Sequence, residues 1–117
     1  MNKKRKERIE NYNKLCVWSK VIRLRDDNQC QICGSKVHLN AHHIVPKEIK
    51  VLRFNLDNGV TLCAKCHRFG IYSAHKNGLY FSLWLQKVKP NQYDYLKSFL
   101  EPSDKVLEAS GKKDEVK

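Results

Sequence analysis

The chain has 117 residues, enough for one domain and too few for two with separate cores. No apolar run approaches the roughly 20 residues a transmembrane helix needs, and no apolar segment follows the basic stretch Met1 to Arg8, so neither a membrane span nor a secretory signal is expected and an intracellular setting is. The 23 Lys and Arg against 12 Asp and Glu leave a formal net charge of +11, which favours a polyanionic partner such as nucleic acid, with an acidic membrane surface as the rival.

Residues 1–8 read as a basic, frayed arm. A helical period follows to about Arg25, with Ile9, Tyr12 and Cys16 in one row and Leu15, Trp18 and Ile22 in another. Cys16 is expected to be a buried small hydrophobe on that apolar face. Asp26-Asp27-Asn28 breaks the helix, and Gly34-Ser35 fits a tight turn just after a first cysteine pair. Val37 to Val45 reads as a strand with Val37, Leu39, Ala41, His43 and Val45 on one side, ended by Pro46. Residues 47–57 form a connection with Lys50 and Arg53 facing out. Asp57-Asn58-Gly59 is a turn signal, Val60-Thr61-Leu62 a second short strand, and Cys63 through Gly70 a helix start with Gly70 as terminator. A further helical pattern places Tyr80, Leu83, Trp84 and Val88 on one face and stops at Pro90, after which Asn91 can cap a helix carrying Tyr93, Leu96 and Leu100. Charge and small residues from Pro102 onward predict a largely disordered tail over 102–117. The expected class is α+β: a small strand–loop–strand–helix unit flanked by an N-terminal helix and C-terminal helices.

Cys30-Gln31-Ile32-Cys33 and Cys63-Ala64-Lys65-Cys66 are two C-x-x-C pairs. Two residues between cysteines let both sulfurs reach one ion, and two such pairs complete a tetrahedron with no open position. A structural Zn²⁺ is therefore expected, clamping the helix-to-strand junction against the second strand and supplying the staple a small domain needs. A redox pair or two disulfides are the alternatives, and two matched pairs in an intracellular chain favour zinc over both.

His38, His42 and His43 lie between the pairs, and His67 follows the last cysteine directly. Adjacent side chains on a strand point to opposite faces, so His42 and His43 share one site only if the strand ends or twists there. His38 is read as structural. The runs Ala41-His42-His43-Ile44-Val45-Pro46, Leu56-Asp57-Asn58-Gly59-Val60 and Leu62-Cys63-Ala64-Lys65-Cys66-His67-Arg68 resemble the HNH endonuclease signature with its C-x-x-C elaboration. The lead-in Arg25 to Gly34 and the trailing Ser73-Ala74-His75 with Phe81, Trp84 and Leu85 are similar to small HNH proteins common in phages.

This resemblance implies a ββα-metal fold and a metal-dependent DNA endonuclease leaving a 5′ phosphate and a 3′ hydroxyl, in the bacterial host cytoplasm if phage-encoded. By position, His43 matches the general base and Asn58 the asparagine that fixes the loop. His42, often an aspartate in this family, and His67 match the ligands of a catalytic divalent ion. With imidazole in place of a carboxylate, Mn²⁺, Ni²⁺ or Zn²⁺ should serve at least as well as Mg²⁺. His75 either supplies a third ligand, contacts phosphate, or anchors the next helix. The expected organisation is a basic arm and helix start over 1–17, the HNH domain over 18–89, a C-terminal helix over 90–101 and the tail.

Lys20, Arg23 and Arg25, with Arg68, are candidates for DNA phosphates, against a reading as solvated helix faces. No recognition module is evident, so weak sequence preference or a specificity-supplying protein partner is expected, acting on a monomer or homodimer. The competing reading is a catalytically inactive, zinc-stabilised DNA-binding module.

Overall fold

The computed structural model describes residues 2–101; the tail expected over 102–117 lies outside them. Helix α1 runs Lys3–Arg25, so the segment expected as a frayed arm forms its first turns. The reason is local. The Asn2 side chain accepts the Arg5 amide at 2.8 Å and caps a start that carries no acidic residue to offset the dipole. Only the last turns of α1 find a partner, burying Trp18 and Ile22, while Ile9 and Tyr12 stay exposed. Cys16 is exposed as well, contrary to the sequence expectation, because it belongs to the Ile9/Tyr12 row, on the side of α1 turned away from the Trp18/Ile22 row that packs on the sheet.

Helix α1 is closed by Asp27 and Asn28 in left-handed backbone, with the Asn28 amide donating to Arg23 C=O at 2.8 Å. Buried Asp26 then ties the helix end to the sheet, its carboxylate accepting the Thr61 amide at 2.9 Å and pairing with Arg25. Burial alone would raise its pKa, but the bonds from Arg25 and Thr61 outweigh this and hold the carboxyl below its ordinary value.

Strands β1 (Leu39–His43) and β2 (Gly59–Cys63) pair antiparallel, from Leu39 opposite Cys63 to His43 opposite Gly59. Both run slightly differently from expectation: Val37 is exposed outside β1, and β2 is buried along its whole length. The connection contains two short 3₁₀ turns, Lys50–Leu52 and Leu56–Asn58. Asn58, fully buried, pins it: its Oδ1 accepts the Val45 amide at 2.7 Å, and its Nδ2 donates to Val45 C=O at 2.9 Å and Leu52 C=O at 3.1 Å.

After β2 the chain enters a π-helix, Lys65–Phe69, where a longer regular helix start is expected. The Gly70 amide closes it on Lys65 C=O at 2.8 Å, and a Cβ on Gly70 would stand 2.9 Å from that oxygen, so glycine permits the widened turn. Ala74 and His75 then return alongside, their amides donating to Cys66 C=O and His67 C=O. Helix α2 (Gly78–Val88) is capped by Asn77 and buries Phe81 and Leu85, so its core face lies beside the expected Tyr80/Leu83/Val88 stripe, with Trp84 common to both. Helix α3 (Pro90–Lys97) starts with Pro90 in its first turn and without a side-chain cap, so Asn91 does not cap it. Leu96 packs with Val45 and Leu52, while Leu100 is exposed. The other core cluster joins Val60, Leu62 and Phe81 to Cys30, Cys63 and Ala74. No helix among the described residues is long and apolar enough to cross a membrane.

Candidate metal centres and histidine cleft

The knuckle at Cys30–Cys33 closes on itself, with the Gly34 amide donating to Cys30 C=O and the Cys30 amide to Ser35 C=O, each at 2.8 Å. The pairing of β1 with β2 brings the second cysteine pair beside it. All four sulfurs lie within 4.8 Å of one another, and Cys33 Sγ is 3.5 Å from Cys63 Sγ. A tetrahedron of sulfurs about 2.3 Å from zinc has edges of about 3.8 Å, close to this spacing. Burial would raise the Cys30 thiol, yet the amides of Cys33, Cys63 and Ile32 point at it and bring it down to about 7. Burial and the neighbouring Cys30 push Cys66 up. Four converging soft donors fit structural zinc.

A second cluster forms from three different elements: His42 on β1, His67 on the π-helix and His75 on the loop that returns beside it. Their ring centroids are 4.6 to 5.1 Å apart, and their ligating atoms fall within 4.8 Å. His67 Nε2 and His75 Nε2 are 3.0 Å apart. His42 and His67 are buried, and Phe81 walls His42 at 5.2 Å. Burial first, then the neighbouring imidazoles and Arg68, lowers the pKa of His42 to about 3. Burial, His75 and Arg68 lower His67 to about 4, and burial with Arg68 lowers His75 too. Three neutral imidazoles without a carboxylate make a donor set suited to divalent ions such as Mn²⁺, Ni²⁺ or Zn²⁺.

His43 turns the other way, as strand alternation requires. It stacks on Trp18 with ring centroids 3.9 Å apart and planes 9° from parallel, and its Nε2 lies 2.9 Å from Arg53 C=O. A carbonyl only accepts, so Nε2 carries the proton and Nδ1 the lone pair. Burial, partly offset by that hydrogen bond, lowers its pKa. Because β1 ends at His43, both histidines border one cleft of about 930 Å³, together with His67, Arg68, His75 and Lys47. His38 is exposed and in left-handed backbone, apart from both clusters.

The cationic candidates divide. Arg68 is exposed at the cleft and Lys20 is exposed on α1. Arg23 is half-buried, donating to Ser19 C=O at 3.3 Å. The exposed Arg25 guanidinium donates to Asp26, Leu56 C=O and Gly59 C=O, joining α1 to the loop and β2. The sequence reading also missed Trp18 as the partner of His43. The two are 25 positions apart, and only the helical period of Trp18 hinted at burial.

Comparison with known families gives a match to the HNH endonuclease model over residues 30–69, from the first knuckle cysteine to the end of the π-helix. No curated protein and no solved structure matches the chain. Helix α1, His75 and the two C-terminal helices lie outside the matched span. Within it fall both strands, the cysteine clamp and the turn bearing His67, so residues 30–69 carry an HNH endonuclease match that points to nuclease or nucleic-acid-binding chemistry.

Proposed function

We propose that the chain is a metal-dependent DNA endonuclease that hydrolyses phosphodiester bonds. The observation that carries this reading is His43: a histidine with one nitrogen held protonated by Arg53 C=O, bordering the same cleft as a cluster of three neutral imidazoles. In this reading His43 Nδ1 takes the proton of a water whose oxygen attacks the scissile phosphorus. The P–O3′ bond breaks, and the 3′ oxygen leaves with a proton from solvent. His42, His67 and His75 would hold a divalent ion, which when bound neutralises charge on the phosphate and the departing oxygen. Trp18 fixes the plane of the base, and Asn58 fixes the loop that carries its carbonyl partner. Arg68 offers a cation to a phosphate at the same cleft. The four cysteines hold structural zinc and take no part in the chemistry.

Plasmid nicking with a panel of divalent ions tests the proposal, comparing wild type with His43→Ala. The expected outcome is metal-dependent nicking that His43→Ala lowers by roughly 10²- to 10⁴-fold, with zinc content and DNA binding kept. Plasmid left intact by the wild type with every ion would instead favour an inactive zinc-stabilised DNA-binding module.

A further inference from the structure

A second surface lies beside the histidine cleft, on the π-helix, the loop after it and the outer side of α2. Phe69, Ile71, Tyr72, Leu79, Tyr80 and Leu83 are all exposed there, Ile71 and Leu79 at 74%. Tyr72 and Tyr80 pack on each other with ring centroids 4.7 Å apart and planes tilted by 44°. None of these side chains serves either metal cluster, and such a group of exposed apolar side chains marks a contact surface rather than a fold requirement.

Its charge identifies the partner. Lys76 Nζ donates to Phe69 C=O at 3.2 Å, and the Lys65 stem lies beside Gly70, so both lysines stand next to the segment that carries Phe69, Ile71 and Tyr72. Arg68 joins this surface to the cleft, near enough to lower the basicity of all three clustered histidines. From Asn58 to Tyr93 the chain contains five cations (Lys65, Arg68, Lys76, Lys87 and Lys89) and no Asp or Glu. A second copy of the same surface would bring like charges together, and a basic partner would be repelled. Aromatic faces interleaved with cations are what a single strand of nucleic acid requires, since every base has a π-face and every linkage a negative charge. Bases within a duplex keep those faces covered by their neighbours.

We infer that this surface binds unpaired DNA, with bases stacked on the Tyr72–Tyr80 pair and phosphates against Lys65, Arg68 and Lys76. The inference rests on the nucleic-acid reading above and narrows the substrate to DNA with single-stranded character beside the cut.

Fluorescence anisotropy of the zinc-loaded full chain, without added divalent ion, tests it on a labelled oligo-dT and on a hairpin duplex of equal phosphate number. Tyr72→Ala and Tyr80→Ala should each weaken oligo-dT binding roughly tenfold and duplex binding less than twofold. Tyr72→Phe should keep the affinity, since the ring remains. Lys76→Ala should weaken both ligands alike and reduce the salt slope. Equal loss on both ligands in the tyrosine variants, or no loss, overturns the inference. So does Tyr72-dependent binding to vesicles containing phosphatidylserine, or a concentration-dependent dimer that Tyr72→Ala abolishes. Plasmid assays separate the two proposals: intact plasmid with tyrosine-dependent oligo-dT binding removes the nuclease and leaves this surface, whereas nicking with unaltered tyrosine variants does the reverse.

Discussion

His43 and Asn58 show how much one side chain can be asked to do. His43 is proposed to act as a base only while neutral, and its burial against Trp18 lowers its pKa. The sign follows directly: lowering the pKa extends the neutral form to more acidic pH, so nicking should fall on an acid limb with its midpoint below the ordinary value of about 6.5. A rate–pH profile of the wild type with the best divalent ion checks this, and a midpoint above that value would contradict it. Asn58 makes a different demand. Asn58→Ala would strand the amide and carbonyl of Val45 and take one of two partners from the Leu52 carbonyl, which keeps the Asn55 amide. A buried group left without its partner costs about 1–3 kcal/mol, so a loss of roughly 3 kcal/mol in urea unfolding is expected for the set.

Among the elements, the β1–β2 pair decides where everything else stands, and Gly59 is its tightest point. It faces His43 across the sheet, and a Cβ there would lie 2.6 Å from Trp18 Cζ2 and 2.8 Å from Ile22 Cδ1. Gly59→Ala should therefore push Trp18 away from His43 and cost about 1–3 kcal/mol through overpacking. Thermal melting reads the stability, and nicking by protein that retains zinc reads the displaced base; an unchanged variant would show that α1 gives way freely. This coupling explains which parts of the molecule were legible in the sequence. The cysteine pairs were legible because their chelating spacing is local, and the two strands because turn residues separate them. His67 stood out because it adjoins Cys66. His75 stood only as one option among three, because it joins the cluster through backbone bonds to the π-helix, a turn that no period in the sequence announces. The bonds of Arg25 to Leu56 C=O and Gly59 C=O were not legible because those partners lie more than 30 positions away. The helical start at Lys3 was missed because basic residues in a first turn argue against a helix until the Asn2 cap is seen.

For the molecule as a whole, acid is the informative perturbation. His42 and His67 have folded pKa values of about 3 and about 4, both below the ordinary histidine value. Between that value and pH 4 the unfolded chain binds protons that the folded chain refuses, so these two residues contribute stability above about pH 6.5 that is lost as pH falls. Urea midpoints taken without added divalent ion should drop between pH 7 and pH 5. His42→Gln should drop less, having one fewer buried imidazole to protonate; an equal drop would show that His42 does not contribute.

The π-helix Lys65–Phe69 holds Cys66 and His67 side by side, so one short turn of backbone serves both clusters. That adjacency couples the two clusters: an ion captured by the thiols would fix the backbone of this turn and with it the position of His67. Thermodynamic reciprocity then makes occupancy of either cluster raise the affinity of the other. On the nuclease reading proposed above, a chain starved of zinc would cut less, because an empty clamp lowers the metal affinity of the histidine cluster.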